Sequence, residues 1–157
     1  MKRFTSEVRI LPCLSYASGT ADVSSKVIDT KGFDSVAIVV HCATIATGAV
    51  TDIFLQEADA ASDADTLTSG SNLAGSSITI ADDDDNQAFV IEVNKPLKRF
   101  LQLTVNKDAT NAWAGSAIAY LFNADSAPTT HAEGTGTSGG SAVVTVEAHL
   151  SPIAGTK

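Results

Sequence analysis

The sequence has few charged residues, few aromatic residues and few cysteines. Charged residues make up 18% and aromatic residues 6% of the 157 positions, whereas an ordinary soluble domain has roughly 25% charged residues. Aromatic scarcity argues against a cleft for sugar cleavage. The two cysteines, Cys13 and Cys42, are too few for a disulfide framework. Both lie in apolar runs, which predicts buried and inert thiols rather than a disulfide.

Signatures of catalysis and of metal binding are also missing. The histidines His41, His131 and His149 lack the spacing of a zinc site, and His41 and Cys42, as neighbours on a predicted strand, face opposite sides of a sheet. The glycine-rich run 134–140 contains the letters of GxGxxG and GxSxG, but it lies in a predicted linker without the strand-to-helix context that those motifs require. We therefore expect no enzyme, no metal and no cofactor.

Four consecutive aspartates, Asp82 to Asp85, are the densest cluster of charge. Calcium takes several oxygen ligands, but adjacent residues of an extended chain point in alternating directions, and the spacing of an EF-hand loop is absent. The run predicts a solvated turn between two strands.

The net charge of -8 disfavours two classes of partner. An acidic surface repels both phosphate backbones and anionic lipid, so we expect no nucleic acid and no membrane as partners. The residues after Met1 show no apolar stretch of a signal peptide. We therefore expect synthesis in a cytoplasm.

Short β-rich runs separated by turn-forming clusters indicate an all-β fold. Pro12 suits an edge strand, and the continuously apolar run Ser35 to Cys42 suits the centre of a sandwich. Ile118, Tyr120 and Phe122 alternate on one face, which we expect to close the core. We predict an antiparallel β-sandwich, jelly-roll-like, with an immunoglobulin-like sandwich as the alternative. The runs that predict strands are Val8–Cys13, Val27–Ile28, Ser35–Cys42, Asp52–Glu57, Ser77–Ile80, Ala88–Val93, Phe100–Val105 and Ser116–Phe122.

The composition divides the chain into four segments. We predict an extended N-terminal arm over 1–7, the sandwich over 8–122, a flexible linker over 123–141 and a C-terminal strand or tail over 142–157. A helical turn around Ala61 to Leu67 is the only helix that the pattern allows. The C-terminal run either folds back as an edge strand or adds to the sheet edge of a neighbouring subunit.

Several residues are candidates for contacts with a partner. The cationic arm would dock on an acidic neighbour, and the C-terminal run would clamp another subunit. Trp113, at a predicted loop tip, either anchors a partner or packs over the sandwich mouth. The basic residues Lys95, Lys98 and Arg99 predict ordinary surface charge. The candidate partner-binding residues are Lys2, Arg3, Phe4, Trp113, Val143, Val144 and Val146.

Four segments resemble a known family. Gly32 to Val36, Phe54 to Asp59, Lys98 to Thr104 and Ala114 to Ala119 are similar to patterns shared by decoration (cement) proteins of tailed-phage capsids. The resemblance implies a virion structural protein on the outer capsid surface that binds the major capsid protein, associates with other copies of itself as a dimer or trimer, and stabilises the shell.

The chain departs from this pattern after Phe122, since members of the family often end soon after that strand. The alternative function is a tail or fibre adhesion module that binds a host-surface glycan.

Overall fold

The computed structural model describes residues 4–126, and this part of the chain consists of β-strands with one helical turn. The predicted all-β class is confirmed. In chain order the elements are α1 Phe4–Glu7, β1 Arg9–Gly19, β2 Val23–Ser24, β3 Ile28–Asp29, β4 Phe33–Ile45, β5 Thr51–Ala58, β6 Ala60–Ala61, β7 Leu67–Thr68, β8 Ser71–Asn72, β9 Ile78–Ile80, β10 Ala88–Asn94, β11 Phe100–Asn106 and β12 Trp113–Ala124.

The strands form two large antiparallel sheets, and β6 and β7 form a separate two-stranded sheet. Sheet A has the order β1-β12-β4-β10, and sheet B has the order β2-β11-β5-β8, with β3 also on β11 and β9 also on β5. The first long strand therefore lies beside the last one, and the chain passes between the sheets at most connections, which is the arrangement of a jelly roll. The immunoglobulin-like alternative is wrong, because there the first two strands share a sheet, whereas β1 and β2 lie in different sheets.

The sheet positions of β1 and β4 follow from their sequences. Pro12 lies in β1 at the edge of sheet A, and the pairing of β1 with β12 is irregular on both sides of Leu14. A proline lacks the N–H that a central strand needs, so the edge is where it is tolerated. Strand β4 lies between β12 and β10, as its continuous apolar run predicts.

The core lies between the two sheets. Strand β4 contributes Val36, Ile38 and Val40, each fully buried. Sheet B contributes the inward residues of β5 and β11. Full burial of one such side chain stabilises the fold by about 1.5–3 kcal/mol. The largest fully buried side chains are Trp113, Ile28, Ile38, Ile53, Leu55, Ile80, Leu101, Leu103, Leu121, Val36, Val40 and Val105.

Strand β12 faces the opposite way from our prediction. Over Ala117 to Phe122, its buried residues are Ala117, Ala119 and Leu121, while Ile118, Tyr120 and Phe122 lie on the outer face of sheet A. The register explains the reversal: Ala117 lies opposite Val40, and Ala119 opposite Ile38. Large side chains of β4 thus occupy the core beside small ones of β12, and the prediction that the larger β12 residues close the core is wrong.

Two local expectations are also corrected. The segment around Ala61 to Leu67 forms a hairpin, in which Ala60 pairs with Thr68, and not a helical turn. The arm is helical and not extended over Phe4–Glu7, where the Val8 N–H donates to the Phe4 carbonyl oxygen at 2.9 Å.

The boundaries of the domain also differ slightly from the prediction. The final strand runs to Ala124, so the first two residues of the expected linker belong to the sandwich. The rest of the linker from residue 127 and the expected C-terminal strand over 142–157 lie outside the described residues.

Candidate functional site

An exposed row of apolar side chains crosses all four strands of sheet A on its outer face. Pro12 of β1 lies opposite Ile118 of β12, Ile118 opposite Val39 of β4, and Val39 opposite Val90 of β10. Val90 is 54% exposed and Ile118 is 37% exposed. We refer to these four residues as the apolar row.

A second row, next to the apolar row, brings in the N-terminal helical turn. Ile10, Tyr120, Ala37 and Glu92 lie opposite one another across the same four strands. The ring of Phe4 packs on that of Tyr120 with centroids 6.4 Å apart, and yet Phe4 remains 60% exposed. Helix α1 therefore extends the apolar surface beyond the sheet.

The outer face of sheet B is different in character. There Gln102 lies opposite Gln56, and Asn106 opposite Asp52. Buried Gln102 also donates from Nε2 to the carbonyl oxygens of Ser25 and Asp65, at 2.7 and 2.8 Å, so neighbouring loops lie against this face. Phe54 and Phe100 also lie on this face, opposite Thr104 and Ala58. Polar and apolar residues are therefore mixed on the outer face of sheet B, whereas the apolar row crosses sheet A without a polar residue.

The structure brings one predicted contact residue to this surface. Phe4 lies at the border of the second row, whereas Lys2 and Arg3 precede the described residues, and the C-terminal candidates Val143, Val144 and Val146 follow them. The sequence prediction missed the apolar row itself. One signal was present: in the middle of the run Ser35 to Cys42, Ala37 and Val39 make the second face apolar as well, which is typical of a strand covered on both sides.

Trp113 is not at a loop tip. It is the first residue of β12, is fully buried and pairs with Ile45 at one end of the sandwich, so it cannot anchor a partner from this position. The Lys107 Nζ lies 5.3 Å from the centre of its ring. Burial lowers the pKa of Lys107, and the nearby Asp22 carboxylate opposes that shift. The alternative, packing at the sandwich mouth, agrees with this position.

The aspartate run forms the predicted turn, and its carboxylates bind backbone. Asp85 Oδ1 accepts from the Ile45 N–H and Asp82 Oδ2 from the Gly48 N–H, each at 2.6 Å. Asp84 accepts from the N–H of Ala81 at 2.9 Å. Within residues 4–126 no three His, Cys, Asp or Glu side chains are placed to share a metal ion. The run therefore fastens the loop after β4 to the loop before β10.

The basic residues near β11 are engaged locally. Arg99 forms a two-bonded ion pair with Asp29, with Nε–Oδ1 at 2.8 Å and Nη2–Oδ2 at 2.7 Å. Partial burial raises the pKa of Asp29, but bonds from Arg99 and from the Lys31 N–H outweigh it, and the pKa is lowered overall. The pair borders a surface cleft of about 350 Å³. Lys98 donates to the Ser71 hydroxyl at 3.1 Å.

Both cysteines are free and buried, as predicted. Burial raises the pKa of Cys13 to about 12, and its Sγ donates to the Ala117 carbonyl oxygen at 3.5 Å. Burial also raises the pKa of Cys42.

No protein-family model matches the sequence, and no curated protein is significantly similar to it. Among solved structures, the chain is similar to a protein of Bacillus endospore appendages. Those appendages form a novel family of disulfide-linked pili. The TM-score is 0.40 and the identity is 15%, over 75% of this chain and 91% of that chain. A likeness this distant supports no functional inference. Within residues 4–126 no helix is long and apolar enough to span a membrane.

Proposed function

We propose that this chain is a non-enzymatic virion protein that decorates and stabilises a bacteriophage capsid from its outer surface. The observation that carries the proposal is the orientation of β12. Ile118, Tyr120 and Phe122 lie outside the core while Ala117 and Ala119 lie inside it. These outward side chains add apolar surface to the sheet, and contiguous exposed apolar surface is typical of a protein–protein contact.

The sequence resemblance supports the same role. The similar segments lie at the start of β4, in β5, in β11 and in β12, which together form the central strands of both sheets. They therefore match a shared scaffold rather than a shared reaction centre. Strand β4 adds support, because its outward residues Ala37 and Val39 are apolar and the described residues cover them only in part.

The mechanism that we propose is adhesion through the apolar row and the N-terminal arm. The major capsid protein covers the apolar row, and the cationic residues Lys2 and Arg3 of the arm dock on an acidic patch of that protein. Burial of apolar area contributes about 25 cal/mol per Å², from which the entropy cost of association is subtracted. Repeated copies on one shell then hold it together even when each single contact is weak.

The test uses capsids assembled without this protein, from the phage that encodes it. The purified full chain should cosediment with them saturably and raise the temperature at which they disrupt. Val90→Lys in the apolar row should weaken binding at least tenfold. Val50→Lys is the matched control, because Val50 is also 54% exposed but lies outside sheet A.

Two results would contradict the proposal. If the folded chain does not bind capsids, the proposed role is wrong, and binding on a glycan array would then favour the adhesion module. If Val90→Lys and Val50→Lys bind equally well, the capsid contact lies elsewhere than on the apolar row.

A further inference from the structure

The edge of sheet A at β10 is long, regular and open. All seven residues Ala88–Asn94 pair with β4 in unbroken register, and β4 is the only strand beside β10 within residues 4–126. A strand edge of this kind presents unpaired N–H and C=O groups to any strand that can add to it.

The other edges of the two sheets are protected. Strand β1 carries Pro12 and two irregularities, and the Lys26 N–H already donates to its Cys13 carbonyl oxygen at 2.7 Å. The edges of sheet B consist of β2 and β3 on one side and β8 and β9 on the other, each only two or three residues long. Short strands, prolines and bulges are the usual means of blocking edge pairing. Strand β10 has none of these within its length.

A groove accompanies the β10 edge on the core side. It has a volume of about 280 Å³ and lies between β10 and the turn at Leu73 to Ser76. Leu73, Ile91 and Val93 line it, and all three pack against the hydrophobic core. Because Leu73 and Val93 are only partly buried, the rim of the core is uncovered at this edge.

We infer that this edge and groove accept, as an added antiparallel strand, the run Ala142–Leu150 of a second copy of the chain. In that run Val144, Val146 and Leu150 alternate with Thr145 and Glu147, giving one apolar and one mixed face. Main-chain hydrogen bonds to β10 supply affinity, and the apolar face fills the groove.

The length of the chain between the two elements argues for a second copy rather than the same one. Phe122, Ser35 and Asn94 lie in one row, so the chain leaves β12 at the end of the sheet where an antiparallel partner of β10 would begin. These two positions are three strand spacings apart, roughly 14 Å. Residues 127–141 can span roughly 50 Å, whereas structureless connections this long are uncommon inside compact domains. The segment is suited to reach a neighbour.

Strand exchange of this kind is head-to-tail, so it forms closed rings or open chains of copies. It does not depend on the proposed function, because association requires only the chain itself. Failure of the following experiment therefore leaves capsid binding untouched, and failure of capsid binding leaves strand exchange untouched.

The experiment measures the mass of the full chain in solution by light scattering and analytical ultracentrifugation over a range of concentrations. Wild type should form oligomers. A donor variant, Val144→Asp with Val146→Asp, and an acceptor variant, Ala74→Trp in the groove, should each be folded monomers. Their equimolar mixture should form 1:1 dimers, since one variant keeps the strand and the other keeps the edge.

The controls are matched to each variant. Val143→Asp with Thr145→Asp changes the other face of the run, and Ala60→Trp changes an exposed alanine away from the groove; both should associate at least tenfold more tightly than the variants they match. A monomeric wild type would overturn the inference. Oligomers of the donor variant alone or of the acceptor variant alone would also overturn it. A mixture of the two variants that stays monomeric would overturn it as well.

Discussion

Gly115 lies so close to the indole ring of Trp113 that no side chain fits at position 115. A Cβ there would stand 2.5 Å from Cζ2 of Trp113 and 2.6 Å from the His41 carbonyl oxygen. The second neighbour is backbone of the adjacent strand β4 and cannot turn away. The pairing of β12 with β4 also changes register between Trp113 and Gly115. The absence of a side chain at 115 thus allows Trp113 to be fully buried at the end of the sandwich.

Gly115→Ala should therefore destabilise the fold by about 3 kcal/mol, near the upper range for overpacking of a core. Urea unfolding followed by Trp113 fluorescence measures the change. Gly70→Ala is the control, because a Cβ there would meet no backbone, only the side chains of Leu67 at 3.3 Å and Gln56 at 3.8 Å. We expect a change within about 0.5 kcal/mol for the control. Equal stability of Gly115→Ala and wild type would show that the indole ring has another place to pack.

Asp85→Ala should cost about 1.5–3 kcal/mol, because the carboxylate bond to the Ile45 N–H joins two loops and is charge-assisted. Asp83→Ala removes an equal charge from the same run at an exposed position and should change stability by less than about 0.5 kcal/mol. Thermal unfolding of the two variants measures the difference. If Asp85→Ala and Asp83→Ala lose the same amount of stability, the loss comes from the changed net charge of the run and not from the Asp85 hydrogen bond.

The ion pair of Asp29 and Arg99 should make a small contribution to the free energy of unfolding, and this contribution should be lost in acid. The folded-state pKa of Asp29 lies below its ordinary value of 3.8. The stabilisation is therefore complete above about pH 4. It is lost as the pH falls through the lowered folded-state pKa. Because the two side chains are 48% and 36% exposed, solvent screens the pair and its contribution to stability is small.

Arg99→Gln should remove that part of the acid dependence. The stability that this variant loses relative to wild type should be smaller in 1 M salt. Lys95→Gln, which removes one exposed positive charge from the same loop, should leave the acid dependence as in wild type. Unfolding free energies measured from pH 2 to pH 7 decide between them. An Arg99→Gln profile parallel to that of wild type would mean that the ion pair adds nothing to stability.

The strand positions could be predicted from the sequence because their signals are local. Period-two alternation, the apolar run of β4 and the turn at Asp82 to Asp85 each lie within about ten residues, and each of the eight predicted runs corresponds to an observed strand. The edge position of β1 also followed from one residue, Pro12. These features can be predicted without knowing which strands are neighbours in the sheets.

The facing of β12 and the position of Trp113 depend on other strands. The predicted facing of β12 and the loop-tip position of Trp113 were wrong, whereas packing of Trp113 at the sandwich mouth agrees with the structure. Ala117 and Ala119 can face the core only because Val40 and Ile38 lie opposite them. The apolar row was missed for the same reason, since Pro12, Val39, Val90 and Ile118 come from four strands far apart in the chain. Of the candidate contact residues in the described part, only Phe4 was placed correctly at an exposed surface.

Neither cysteine should react while the chain is folded. With a pKa of about 12, Cys13 is a thiolate in about one molecule in ten thousand at pH 8, and only 2% of its surface is exposed. Cys42 is fully buried. An aromatic disulfide reagent at pH 8 should therefore titrate no thiol in the native chain and both in guanidinium.

Ala60→Cys places a third thiol on an exposed position of β6 and should react at once in the folded state, which confirms that the reagent is active. Slow labelling of Cys13 at a rate equal to that of global unfolding would agree with its burial between β1 and β12. Rapid labelling of Cys13 alone would instead show that β1 separates locally from β12. Because β1 carries Ile10 and Pro12, that opening would also break the surface that we propose for capsid binding.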